Sequence, residues 1–302
     1  MKKLLWVMTA GLIFSGCAMA AQTDSPAMGR ETRVAGGDHV MDAAFAERTK
    51  NLNLKSASAL VVYQDNGRAL YAKNTEAVVP IASITKLMTA MVTLDAKPEL
   101  DEHVTISEAD IDGIKGTHSR LKVGSVLARR DLLRLAVMSS ENRAAAALTR
   151  AYHGGTAAFV AAMNQKAIEL GMWRTRFVDG TGLSSNNVST AQDLVKMVNA
   201  AYSYSLVREY TTNTDYTVRL ANGRVLQYRN SNGLVKSPNW HIGLSKTGYI
   251  SEAGRCLVMQ AEISSMPVVI VLLDSWGKLS RIADANRIKK WIEGTSARLP
   301  AG

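Results

Sequence analysis

The chain has 302 residues, of which 47% are hydrophobic and 21% charged, a balance that excludes a disordered or fibrous protein. Beyond the N-terminal segment no run reaches the roughly 18 consecutive apolar residues of a spanning helix. Five scattered histidines and two cysteines give no metal-ligand spacing, so no metal or other cofactor is read. Thirty-six Lys and Arg against 26 Asp and Glu give a formal charge of +10, which in a cytosolic protein would point to nucleic acid.

Residues 1–20 read as an export leader. Lys2 and Lys3 precede the apolar run Leu4 to Phe14, and Ala18-Met19-Ala20 is a small-x-small cleavage site, so a mature chain beginning at Ala21 is expected. The run is short for an anchor helix. Lipid attachment at Cys17 is the minority alternative, because Phe14 fits poorly at the third position before it. Export to the periplasm removes nucleic acid as a partner and, with Lys2 and Lys3, two charges, leaving +8. Peptidoglycan, an anionic polymer outside the cytoplasm, suits that charge, although a merely solvated basic surface would carry it too. Loose association with the membrane is a further contact open to such a chain. Cys256 is then the remaining thiol, and its apolar surroundings Gly254 to Met259 read as a buried structural site.

Residues 21–55 read as a flexible tether with Pro26, Gly29, Gly36 and Gly37 and one short helix near Asp42 to Thr49; a single catalytic domain over 56–302 is expected to follow. Ser58 to Tyr71 forms two apolar runs around Asp65-Asn66-Gly67, a hairpin signal. After Pro80 a buried helix is predicted over Ser83 to about Ala96, with Leu87, Met88, Met91, Val92 and Leu94 covering much of its surface. Further helices are predicted at Arg130 to Met138, Glu141 to Ala151 and Thr156 to Leu170. A polar loop then runs from Asp179 to Val188, and a helix opened by Ser189-Thr190-Ala191-Gln192 ends near Tyr202. The last third reads as strands at Thr217 to Leu220, Arg224 to Tyr228, His241 to Ile250, Arg255 to Ile263 and Val268 to Leu273, closed by a helix over Leu279 to Ile292. Strands at both ends and helices between predict an α+β fold. Its mixed, mainly antiparallel sheet would be completed by the first hairpin, with the last helix on one face and the middle helices on the other.

Three short motifs can carry acyl transfer. Ser83-Ile84-Thr85-Lys86 puts a nucleophile and a base on one helix face, and burial of that helix would leave Lys86 neutral enough to take a proton. The spacing recurs at Ser119 to Lys122 and Ser275 to Lys278, neither of which opens an apolar helix, and an ordinary N-cap would also place Ser83 there. Ser140-Glu141-Asn142 lies at a helix break, where hydroxyl and amide can face a cleft, although capping explains it equally. Lys246-Thr247-Gly248 sits on a strand, where Gly permits close backbone approach and Lys with Thr suits an anionic group; a charged edge strand would read the same.

Taken in order, the three motifs resemble those of the serine penicillin-recognising family. Pro80 to Ala90, Met138 to Ala145, Thr181-Gly182-Leu183 and Lys246 to Asp274 resemble the low-molecular-mass D-alanyl-D-alanine endopeptidases, the type of penicillin-binding proteins seven and eight within the peptidase S11-like enzymes. The resemblance implies a β-lactamase/transpeptidase-like fold, cross-linked stem peptides of peptidoglycan as substrate and β-lactams as covalent inhibitors. It implies Ser83 as nucleophile, Lys86 as base and Ser140 as proton relay to the leaving amine, tuned by Lys246. Asn142 would hold the substrate peptide and Thr247 its carboxylate. Gly248 and Tyr249 continue that strand, and the N–H groups of Ser83 and Tyr249 would bind the oxyanion. Arg143, where the wider family often has an acid, favours the endopeptidase group. The loop Phe177 to Val188 contains no Glu, only Asp179, so slow release of β-lactams is expected rather than β-lactamase turnover. D-alanyl-D-alanine carboxypeptidase is the second enzymatic reading; its common members add a β domain and a C-terminal anchor, whereas this sequence ends soon after the last predicted helix. A non-catalytic wall-binding protein is the third.

Overall fold

The computed structural model describes Thr49, residues 52–220 and residues 222–296. The expected leader, the tether up to residue 51 and its short helix lie outside the described residues, apart from Thr49. In chain order come β1 (Ser56–Tyr63), β2 (Ala69–Lys73), β3 (Val79–Pro80), a 3-10 turn (Ala82–Thr85), α1 (Lys86–Asp95), β4 (His103–Thr105), β5 (Val126–Ala128), α2 (Arg129–Met138), α3 (Asn142–Arg150), α4 (Gly155–Glu169), β6 (Val188–Ser189), α5 (Ala191–Tyr202), α6 (Ser205–Thr212), β7 (Asp215–Arg219), β8 (Val225–Arg229), β9 (His241–Ile250), β10 (Gly254–Ile263), β11 (Met266–Ser275) and α7 (Ser280–Ser296).

Five strands form one sheet in the order β2-β1-β11-β10-β9. The first hairpin therefore completes the sheet of the last third, as its apolar runs predicted. A mixed sheet was expected, but every pairing within it is antiparallel. The central strands read as unbroken apolar runs because both of their faces are covered. Val269, Val271 and Leu273 of β11 join the core shared with the middle helices, while Val268, Ile270 and Leu272 join the core under α7. β1 alternates the same way, with Leu60 and Val62 on the first face and Ala59 and Val61 on the second. α7 supplies Ala285, Ile288 and Ile292 to its face. The last helix and the middle helices thus cover opposite faces, as expected.

The packed region starts before the expected boundary at Ser56. Leu52 and Leu54 are buried against the α7 face, and the backbone N–H groups of Lys55 and Ser56 donate to Asp284 of α7 at 3.0 and 2.7 Å. α6 was not predicted, because Ser205-Leu206-Val207-Arg208-Glu209-Tyr210-Thr211-Thr212 mixes β-branched residues with helix formers. The pairs β3–β6 and β4–β5 are only two and three residues long, too short for periodicity to register. Among the described residues no helix is long and apolar enough to cross a membrane.

Candidate active site

Ser83 lies in the 3-10 turn and Lys86 opens α1. In a 3-10 turn residues i and i+3 eclipse, so the two side chains stand one above the other. Lys86 Nζ lies 2.8 Å from Ser83 Oγ and donates to Asn142 Oδ1 at 2.7 Å and to the Thr181 carbonyl at 2.5 Å. A neutral amine has two N–H groups and one lone pair. With both N–H groups engaged, the lone pair is left facing Ser83 Oγ. Lys86 is fully buried. Burial pulls its pKa down, Asp179, Glu141 and Asp112 pull it partly back, and the result is about 7 instead of the ordinary 10.5. That drop corresponds to about 5 kcal/mol of penalty on the charged form.

The turn is braced from outside. Ala82 is held at φ 48, a left-handed conformation that costs a residue with a side chain on the order of 1–3 kcal/mol and needs surrounding support. The polar loop after Asp179 supplies it. The Ile81 N–H donates to the Asn187 carbonyl at 3.0 Å, and Asn187 Nδ2 donates to Thr85 Oγ1 at 3.1 Å. Gly182 has φ +78, and a Cβ there would lie 2.1 Å from the Ala82 carbonyl oxygen, so only Gly fits against the turn. Asp179 organises this loop. Its carboxylate accepts from Thr181 N, Thr181 Oγ1 and Gly182 N at 2.6 Å each and from Ser184 N at 3.0 Å.

The other two motifs face this turn. Ser140 takes φ 63 between α2 and α3, and Lys246 Nζ on β9 lies 2.9 Å from its hydroxyl and 2.8 Å from the Thr247 carbonyl. Lys246 is 1% exposed; burial, then the charges of Lys86 and Arg281, push its pKa well below the usual lysine range. The anion-binding charge expected at Lys246 is therefore disfavoured by its surroundings. Gly248 lets β9 run along the nucleophile, since a Cβ there would meet Ile81 O at 2.9 Å and Ser83 N at 3.1 Å. The Tyr249 side chain points outward, 56% exposed, with the Arg255 guanidinium 4.4 Å from its ring centroid.

Ser83, Lys86, Asn142, Ser140, Lys246, Thr247 and Gly248 are thus brought to one cleft. Sequence reading missed the groups behind them. Thr117 Oγ1 accepts from Asn142 Nδ2 at 2.9 Å and donates to Asp112 Oδ2 at 2.6 Å. Desolvation pushes the Asp112 carboxyl up, but hydrogen bonds from Thr117, Lys115 and Ile114 outweigh it and bring it down to about 2. Ser231 shares a 2.8 Å hydrogen bond with Thr247 and donates its N–H to the Met138 carbonyl at 2.9 Å, which ties β9 to the end of α2. The remaining thiol, Cys256, is fully buried and pushed up to about 11 by burial, consistent with its structural reading.

A sheet whose edge strand runs along a buried Ser-x-x-Lys turn, faced by a second Ser–Lys pair, defines a serine acyl-transfer enzyme of the penicillin-recognising class. The chain belongs to the peptidase S11 family, described as D-alanyl-D-alanine carboxypeptidase, whose sequence pattern matches residues 44–277. It is 50% identical to a D-alanyl-D-alanine endopeptidase of Pseudomonas aeruginosa across 82% of this chain and 81% of that protein. Identity to a D-alanyl-D-alanine endopeptidase of Escherichia coli is 45%, across 84% and 82%. The fold matches penicillin-binding protein D2 of Listeria monocytogenes, solved in its cefotaxime-bound form, with a TM-score of 0.70 and 31% identity over 80% of this chain and 98% of that one.

Proposed function

We propose that this chain is a serine D-alanyl-D-alanine endopeptidase that opens D-Ala–diaminopimelate cross-links of peptidoglycan through an acyl-enzyme. The observation that carries the chemistry is the Lys86 amine, both N–H groups engaged and its remaining direction on Ser83 Oγ. The preference for cross-links is supported by the endopeptidase relatives in two bacteria.

In this mechanism Ser83 Oγ attacks the D-Ala carbonyl carbon as Lys86 Nζ takes its proton. Negative charge gathers on the carbonyl oxygen, facing the N–H groups of Ser83 and Tyr249. The C–N bond then breaks, and the departing amine takes the proton that Lys86 received, relayed through Ser140 beside Lys246, which returns Lys86 to its neutral form. Asn142 holds the peptide, and Thr247, braced by Ser231, meets the carboxylate next to the scissile nitrogen. Water then attacks the ester carbonyl, Lys86 takes its proton, and Ser83 Oγ leaves with the proton returned to it. β-Lactams acylate the same serine and leave slowly, because Asp179, the one acid of its loop, has its carboxylate filled by four donors and is not free to activate water. The export leader read in the sequence at residues 1–20 supports the periplasm as the site of this chemistry.

Incubation with cross-linked muropeptide dimers and with D-Ala-D-Ala pentapeptide, followed by mass analysis, tests the reading. Monomers released faster than terminal D-Ala are expected. Intact dimers with trimmed pentapeptide would make the protein a carboxypeptidase, and no reaction with either would make it a wall-binding protein.

A further inference from the structure

A second groove opens beside the Ser140 corner. It encloses about 650 Å³ and is lined by Arg120, Ser139, Val225, Leu226, Gln227 and Arg229. Ser139 adjoins Ser140, whose hydroxyl lies 2.9 Å from Lys246 Nζ, so the groove begins at the end of the cleft where the leaving amine departs. Its lining holds two guanidinium groups and no carboxylate. Arg120 is held in position. Its guanidinium donates to the Gln227 carbonyl and stacks 3.9 Å from the centroid of the Tyr228 ring. Arg224, exposed before β8, adds a third positive charge nearby. Among the described residues none of these three arginines is in an ion pair. Asp215 lies across the ladder from Arg229, but its carboxylate takes the Thr214 hydroxyl at 2.7 Å.

Unpaired arginines are hydrated at some cost in order and present planar forks matched to carboxylates. Two of them lining one groove, with the exposed Arg224 next to its Val225 wall, attract an acidic chain, and the position of the groove says which chain. A substrate ending in D-Ala has nothing beyond the leaving residue. A cross-link continues past it into a second peptide stem with free carboxylates. We propose that this groove binds the acidic acceptor stem of the cross-linked substrate, with Arg120 and Arg229 on its carboxylates, and so favours cross-links over free ends. The proposal rests on the endopeptidase reading and adds the subsite that makes the choice.

The test compares Arg120→Gln, Arg229→Gln and the double variant with the unchanged protein. Dimer cleavage and fluorescent-penicillin acylation are measured in parallel. Each substitution is expected to cut kcat/KM on dimers about tenfold, the equivalent of 1.4 kcal/mol. The loss should appear mainly in KM and exceed any loss in penicillin acylation by the same factor. Dimers with amidated acceptor carboxylates should be cleaved by the unchanged protein as poorly as native dimers are by the variants. Equal losses on dimers and penicillin, or none on either, would overturn the subsite. A separate arm titrates Ser83→Ala protein calorimetrically with the uncross-linked tripeptide stem and its amidated form. Binding that needs both the carboxylates and the arginines supports the groove even if dimers prove poor substrates, and binding indifferent to either rejects it.

Discussion

Two lysines are buried in one cleft and are set differently by their neighbours. Lys86 is surrounded by acids: Asp179, Glu141 and Asp112 return part of what burial removes, and its pKa settles at about 7. Lys246 is faced by cations, Lys86 and Arg281, which add to burial, and it goes well below the lysine range. Both are essentially inaccessible, so desolvation alone does not separate them; the sign of the surrounding charge does. A group near neutrality is fitted to take a proton and return it in the same cycle. Lys246, its charge disfavoured by burial and by neighbouring cations, lies 2.9 Å from the Ser140 hydroxyl, beside the path a relayed proton would take. One wall of the cleft is built for a base and the other for a relay.

The largest effect should come from removing what the first lysine acts on. Ser83→Ala should abolish covalent penicillin labelling seen on a gel. Ser119→Ala and Ser275→Ala should retain it, since Ser119 Oγ accepts from the Leu121 N–H at 3.0 Å and Ser275 Oγ is buried 2.6 Å from Ser56 Oγ. Labelled Ser83→Ala would collapse the contrast between the walls.

Lys246→Ala attacks the other wall. Loss of the amine beside the Ser140 relay should lower steady-state dimer cleavage by about 2–4 kcal/mol of transition-state stabilisation, roughly 30- to 1000-fold. Acylation by a β-lactam, whose leaving group remains tethered, should suffer less. Equal losses in the two rates would place Lys246 with Lys86 as part of one base.

A smaller effect is expected behind Asn142. Thr117→Val removes the acceptor for Asn142 Nδ2 and leaves Asp112 without its side-chain donor. Each lost hydrogen bond is worth about 1 kcal/mol, so stopped-flow acylation should slow severalfold and recover in Thr117→Ser. Slowing that persists in Thr117→Ser would point to packing instead of the hydrogen bond.

How much of this was legible in the sequence follows from distance along the chain. The sheet was readable because apolar runs such as Val268 to Leu273 are covered on both faces. Ser83 and Lys86 share a turn, and each remaining motif is a triplet, so local spacing exposed them. Spacing alone did not separate Ser83 from the two decoy serines; the apolar helix that it opens, and then the family resemblance, did. Thr117 and Asn142 are 25 residues apart, Ser231 and Thr247 are 16 apart, and Arg120 reaches Gln227 across 107. No periodic or capping signal links such pairs; only the folded chain does. The 3-10 start of the nucleophile helix was likewise hidden, because it depends on the strained Ala82 and on Gly182 packing against it from another loop.

The most direct test of the two-lysine contrast is the pH profile of Ser83 acylation, measured with a fluorescent penicillin across the neutral range. Lys86 accepts a proton only when uncharged, so the rate should hold above about pH 7 and fall as pH drops through it. Glu141→Gln removes one of the negative charges that raise the Lys86 pKa, so the acid limb should move to lower pH. A limb that stays in place in Glu141→Gln, or a rate that does not fall below neutrality, would contradict Lys86 as the base.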